Sequence, residues 1–350
     1  MRGCIHTIEE SPLPRRYKQA MWIGVFAGLL SFIAVTLLSD VSQLAKYVRS
    51  FPWVVMLPVL ALRVGNWAIR CAKWFFLLRL VGVRNLSVRD GVSTFIAGLA
   101  MAISPGKLAE FIKCFIVKNL TGAPVPTTIP TILAERVTDG AAVVLLLVLS
   151  IAATAKPEYL PGVALGIASN VALLSVLAYR PLCLFILRLV ERFPLLRRFV
   201  GAFRTLYESS YILFRPRNYL TAVSTGLASS TLDGIGMWII LVALGQPPTM
   251  QTFFVGLLAI CLSVVTGSIS GMPGGAGVSD LTIAGVLIFQ LGLAPSEAGF
   301  ATLLARFTQS WWGVLVGLAV AVLDRKRLFP PALATLIEAE DRALANPAAV

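Results

Sequence analysis

Histidine is almost absent: the single one, His6, stands in a polar N-terminal tail ahead of the first apolar run. Imidazole-based acid–base or metal chemistry inside the hydrophobic body is thereby excluded, and with it many lipid-modifying mechanisms. Cysteine is sparse and unpatterned. Cys4, Cys71, Cys114, Cys183 and Cys261 form no CxxC pair, so neither a disulfide framework nor a metal site is supported, and no cofactor is expected. Charge is scarce too. With 13% charged against 57% hydrophobic residues and a mean hydropathy of +0.83, the 350-residue chain is too apolar for a soluble domain, and lipid must be its solvent.

The charge that is present is lopsided, 30 Lys and Arg against 17 Asp and Glu, for a net +13. Those basic residues fall between apolar runs of about 20 residues, the length that crosses a hydrocarbon core of roughly 30 Å. The excess therefore reads as topology, and no nucleic-acid partner is expected. Residues 1–20 carry Arg2, Arg15, Arg16 and Lys18 ahead of a hydrophobic run, with no A-x-A cleavage site, as a retained signal anchor would.

The fold class expected is an all-α polytopic membrane protein. Hydropathy places full spans near 21–39, 52–80, 130–153, 160–178, 218–244 and 297–323. Two further apolar stretches, 91–118 and 252–291, are broken by Ser104-Pro105-Gly106 and by Met272-Pro273-Gly274-Gly275-Ala276-Gly277, and read as broken or re-entrant helical hairpins. The stretch from Arg79 to Arg89 is basic and 180–217 carries eight arginines, whereas 245–251 carries no charge. The arginine-rich loops, the N-terminal tail and a C-terminal tail of 324–350 are expected in the cytoplasm, with the protein in the inner membrane. The 180–217 segment reads as interfacial helices on the anionic leaflet, or as a solvated basic linker.

An internal repeat is visible. Gly122 to Arg136 and Gly292 to Arg306 have the same 14-residue spacing, with Leu133, Arg136 and Thr138 opposite Leu303, Arg306 and Thr308. A two-residue insertion in the glycine run sets Glu110 opposite Asp280. A single transmembrane domain of 21–323 is expected, with repeat one over about 21–153 and repeat two over about 160–323 in inverted topology, a transporter signature.

Charges inside spans cost about 2.5–3.5 kcal/mol each on insertion scales and mostly face a cavity or a partner. The chain keeps Arg63, Arg70, Lys107, Glu110, Lys113, Glu135, Arg136, Asp139, Asp233, Asp280 and Arg306. Arg63, Asn66 and Arg70 share one helical stripe by their i, i+3, i+7 spacing, and Arg136 can pair with Asp139 at i+3. Arg63 and Arg306 have no partner nearby in sequence, which favours a ligand role; Asp233 is positioned to pair with one of them across the bundle. For Glu135, Arg136 and Asp139, ion pairs that hold helices together are an equal reading. Ser104 and Gly106, and Gly274 and Gly275 on the other side, can open half-helices whose amides point to the midplane. Two such N-termini, each with about half a positive charge, suit a phosphate group; simple kinks or close packing are the alternative.

These residues resemble the transmembrane flippase domain of lysylphosphatidylglycerol synthases, which also occurs as stand-alone flippase-like proteins. The likeness is carried by Pro105-Gly106 with Glu110 and Lys113, Glu135-Arg136 with Asp139, the Pro273 to Gly277 run with Asp280, and Arg306. The family pattern favours Gly at Ala109, Arg at Lys113 and Glu at Asp280, so charge is kept while the head-group contacts differ. In bifunctional relatives a soluble aminoacyl-transfer domain follows, whereas 27 residues follow Leu323 here. The resemblance implies that the protein moves a lipid and is not an enzyme. The expected substrate is an anionic lipid, a modified phospholipid or a polyprenyl-phosphate-linked sugar, with Arg63, Arg70, Arg136 and Arg306 on its phosphate. A small-solute transporter, an intramembrane transferase using Glu135 or Asp139, and a scaffold for a lipid- or glycan-modifying enzyme are the alternatives.

Overall fold

The computed structural model describes residues 41–100, 111–154 and 211–330, with isolated positions between 164 and 189. The expected spans at 21–39 and 160–178, most of the basic 180–217 segment, the N-terminal tail and most of the C-terminal tail lie outside the described residues, as do Ser104, Gly106, Lys107 and Glu110.

No strand occurs among the described residues, and five segments are long and apolar enough to cross a membrane: Trp53–Leu80, Val125–Thr154, Pro216–Ala243, Met250–Ser270 and Pro295–Leu323. The protein is an all-α, multi-pass membrane protein. In chain order the helices are α1 (Val41–Ser50), α2 (Met56–Leu80, entered through a 3-10 turn at Trp53–Val55), α3 (Val88–Leu99), α4 (Ile112–Thr121), α5 (Val125–Thr154), α6 (Pro216–Ala243), α7 (Met250–Ser270), α8 (Val278–Leu291), α9 (Pro295–Arg306) and α10 (Trp312–Leu323). A π-helical turn, Phe307–Trp311, joins α9 to α10.

Local chemistry sets the boundaries. Ser87 starts α3 by accepting the Asp90 amide at 3.1 Å and donating its hydroxyl to the Asp90 carboxylate at 2.7 Å. Thr249 starts α7 by accepting the Thr252 amide at 3.2 Å. α5 begins at Val125, ahead of the expected 130, with Pro130 inside its second turn. The neighbouring threonines turn their hydroxyls back onto this turn, Thr128 to the Val125 carbonyl at 3.1 Å and Thr131 to the Thr128 carbonyl at 2.7 Å.

The two broken stretches enter from opposite ends of the bundle. α2 finishes where Leu77, Leu80 and Val81 pack on Leu213, Phe214 and Tyr219, at the start of α6. At that same end the Asn85 side-chain amide donates to the Thr121 carbonyl at 3.1 Å, so the α3/α4 stretch begins and ends there. At 12 and 10 residues, about 18 and 15 Å at the helical rise, each arm reaches roughly half-way through a hydrocarbon core. At the opposite end, Leu291 at the end of α8 and Leu293 just after it share a cluster with Leu241, Ala243 and Leu244 at the end of α6 and Val255 near the start of α7.

The second stretch departs from expectation in one respect. α7 runs 21 residues, about 31 Å, and is a full-length span, since the break comes only at Gly271, where the backbone turns left-handed at φ +65°. The shorter 14-residue α8 folds back along it, with Ser279 donating to the Ser263 carbonyl at 2.8 Å. The hairpin is therefore one long arm and one short arm.

Small residues let the helices close. A Cβ on Gly226 of α6 would stand 2.9 Å from Ala142 Cβ of α5, and one on Gly317 of α10 would stand 2.6 Å from the Ala100 amide nitrogen beside α3. In lipid such approach replaces the hydrophobic drive that water gives soluble cores.

Cysteines placed at Arg84 and Pro124 are expected to react with an impermeant thiol reagent from one face of sealed vesicles, and cysteines at Pro248 and Ala294 from the other. Labelling of all four from a single face contradicts the opposed entry of the two hairpins.

Candidate functional site

The i, i+3, i+7 stripe on α2 is real, and it continues one step further than the sequence reading took it. Arg63, Asn66, Arg70 and Lys73 all point into the bundle. Arg63 Nη1 pairs with Asp233 Oδ1 at 2.7 Å, and its Nη2 donates to the Gln309 carbonyl at 2.8 Å. Asn66 donates to the other Asp233 oxygen at 3.1 Å and to the Ser229 carbonyl at 2.8 Å. One turn on, Arg70 reaches Asp139 at 2.9 Å and Glu135 at 3.4 Å, while Lys73 holds the second Asp139 oxygen at 2.7 Å.

Lys113 of α4 completes this group. Its stem crosses α3 over Gly98, where a Cβ would stand 3.0 Å from Lys113 Cδ, and its ammonium meets Glu135 at 3.4 Å above the rings of Trp74 and Phe95. That placement combines charge pairing with cation–π contact in a site shielded from water. Arg136, one residue after Glu135, sits within electrostatic reach of Arg70 and Asp139.

The third group lies on the second hairpin. Arg306 Nε pairs with Asp280 at 2.7 Å and its Nη2 donates to the Gly274 carbonyl at 2.9 Å. The other Asp280 oxygen accepts the Gly277 amide at 2.8 Å. Arg306 and Arg63, which have no partner nearby in sequence, are thus both paired across the fold, Arg63 with the Asp233 expected to be available for it. At this half-helix N-terminus the chain's own carboxylate, Asp280, already takes an amide that a bound phosphate would seek. Gly275 packs its Cα against Gly267 and turns left-handed at φ +70°, so it works here as close-packing backbone.

All of these charges stand deep. Arg63 lies about 15 Å from the Trp53 end of its span and Asp139 about 21 Å from the Val125 end, near the middle of helices of 28 and 30 residues. Their exposure divides them into two sets. Lys73 and Glu135 side chains are each 1% exposed, whereas Arg70, Asp139 and Asp233 keep 25%, 19% and 18%. The first set is locked into the packing; the second keeps part of its surface outside it. A small cleft beside Arg63 and Asp233 is walled by Val59, Gly236, Thr308 and Gln309. Among the described residues no three histidine, cysteine or carboxylate side chains converge as metal ligands do.

Residues 21–317 match the family profile described as lysylphosphatidylglycerol synthase TM region. The chain belongs to that family. The matched span of this lysylphosphatidylglycerol synthase TM region takes in every charged group just described and both Pro-Gly breaks. A comparison with curated proteins finds no match.

Sequence reasoning missed two partners in this site and under-weighted a third. Lys73 was legible as the next i+3 position of the α2 stripe, which the sequence reading ended at Arg70. Gln309 contributes only its carbonyl, which no side-chain pattern reveals. Asp233 was visible as a buried charge, yet only the packing of α6 on α2 makes it the carboxylate that holds both Arg63 and Asn66.

Asp139→Asn leaves Lys73 and Arg70 short of a carboxylate in a desolvated site, and is expected to cost about 3–5 kcal/mol in detergent unfolding. Lys73→Met, which leaves Asp139 with Arg70, is expected to cost less than half as much. Equal losses for the two variants would show that Asp139 is not the shared anchor.

Proposed function

We propose that this protein translocates an anionic lipid across the inner membrane, the head group passing along the partly exposed charged row between the two opposed hairpins while the acyl chains stay in lipid. The observation that carries the reading is the exposure split. Arg70, Asp139 and Asp233 remain reachable at mid-depth, where each charge is costly, while Lys73, Glu135 and Lys113 are sealed behind them. Family membership supports the same reading at the level of class.

Among the described residues the group around Asp139 gathers four cations, Arg70, Lys73, Lys113 and Arg136, with two carboxylates, Glu135 and Asp139. A phosphate-bearing head group suits that set, since Arg offers planar, multi-donor contacts to its oxygens. The described residues of the site are suited to holding and orienting an anionic group, which is the work of a carrier. The matching Gly122/Gly292 turns and Arg136/Arg306 positions support an inverted-topology pair of halves working around this row. The arginine-rich loops support cytoplasmic termini.

The small size of the cleft beside Arg63 favours, as a second reading, a small anionic solute in place of a lipid. Reconstituted vesicles separate the two. Purified protein is expected to equilibrate a fluorescent anionic phospholipid between leaflets, with the rate reduced about tenfold or more in Arg70→Gln, the size expected for losing one charge-assisted contact. Unaltered lipid movement with and without protein, alongside uptake of a water-soluble phosphate compound, would favour the solute reading.

A further inference from the structure

The last span is not one helix. Its outer and inner halves belong, by their contacts, to different hairpins, and the π turn separates them. α9 is fastened to the second hairpin through Arg306 with Asp280 and Gly274, and through Ala298, Ala301 and Leu304 packed with Ile283 and Leu287. α10 is fastened to the first. Gly317 lies against the Ile96 carbonyl and the Ala100 amide, and Trp312 and Val316 pack with Phe95, Ile96 and Leu99. At the membrane edge, Ser93 donates to Asp324 at 2.6 Å, Arg89 approaches Asp324 at 3.8 Å and Arg327 pairs with Asp90.

A π turn accommodates one residue more than a regular turn and leaves a carbonyl out of the α-helical ladder. Here the Gln309 carbonyl inside that turn is taken by Arg63, whose other nitrogen is held by Asp233. Arg63 also lines the cleft formed with Thr308 and Gln309, so the side chain that holds the Gln309 carbonyl faces that cleft.

Resting on the carrier reading above, we infer that the Phe307–Trp311 turn is a joint between the two hairpin bodies, and that the Arg63 to Gln309 hydrogen bond is its catch. The catch opens when an anionic group takes the Arg63 guanidinium. The halves of the last span then tilt against each other, which exposes the charged row towards one face or the other without unfolding either hairpin.

Hydrogen–deuterium exchange on the full chain in lipid nanodiscs tests this without any transport readout, so it can fail independently of the carrier reading. In phosphatidylcholine, Arg63→Gln is expected to raise exchange of peptides covering 307–313 by about tenfold, the scale of one charge-assisted hydrogen bond, with 295–304 and 316–323 unchanged. Replacing phosphatidylcholine with phosphatidylglycerol is expected to raise wild-type exchange in the same peptides and to leave Arg63→Gln where it is. The double variant R63Q/D233N removes both charges together and is expected to behave like Arg63→Gln, which separates loss of the catch from the effect of a stranded carboxylate. A rise spread evenly over 295–323, or no rise at 307–313 in either variant, overturns the joint. A wild-type response to phosphatidylglycerol that persists in Arg63→Gln overturns the catch.

Discussion

A carboxylate at mid-membrane must find its cations inside the protein, and the way Asp139 does so sets the geometry of the rest. It takes Arg70 on one oxygen and Lys73 on the other, which fixes the depth and rotation of α2 against α5. Asp233 does the same between α2 and α6 through Arg63 and Asn66. With three long helices pinned at two levels, α4 is placed by Lys113 reaching Glu135. The second hairpin carries its own pair, Asp280 with Arg306, while its long arm α7 packs directly on α5 and α6, with Leu257 and Cys261 against Val143 and Leu146.

Stability alone does not explain this arrangement. Buried ion pairs are commonly no better than well-packed apolar side chains of the same volume, while breaking one is costly. A bundle of span-length helices could be closed by leucine and glycine contacts like those at Gly226 and Gly317. Keeping three acid–base groups at depth, some sealed and some partly exposed, suits the proposed site, in which supporting charges would hold contact charges in place.

Much of the fold was legible because lipid imposes strict rules. Span length located four of the five described crossings to within about five residues, and the 14-residue spacing from glycine to arginine corresponds to a shared local structure. Gly122 and Gly292 both end helices with left-handed backbone, and new helices start three residues later, at Val125 and Pro295. What hydropathy blurred was the position of a break inside an apolar run: α7 reads as half of a hairpin because 252–291 is apolar throughout, yet its glycine break lies a full span from its start. The site was half legible. The α2 stripe follows from helical periodicity, whereas the partners of Arg63 and Arg306 come from helices 170 and 26 residues away in sequence and depend on packing that no local pattern encodes.

The central claim, that the reachable charges at mid-depth hold an anionic head group, is tested most directly by the lipids that stay with the protein. Gently purified wild-type protein and an Arg70→Gln, Arg136→Gln double variant are compared by mass spectrometry with bulk membrane lipid. The account predicts that the wild type carries one anionic lipid well above its bulk fraction and that the double variant does not. The same bulk-like lipid profile on both proteins would contradict it.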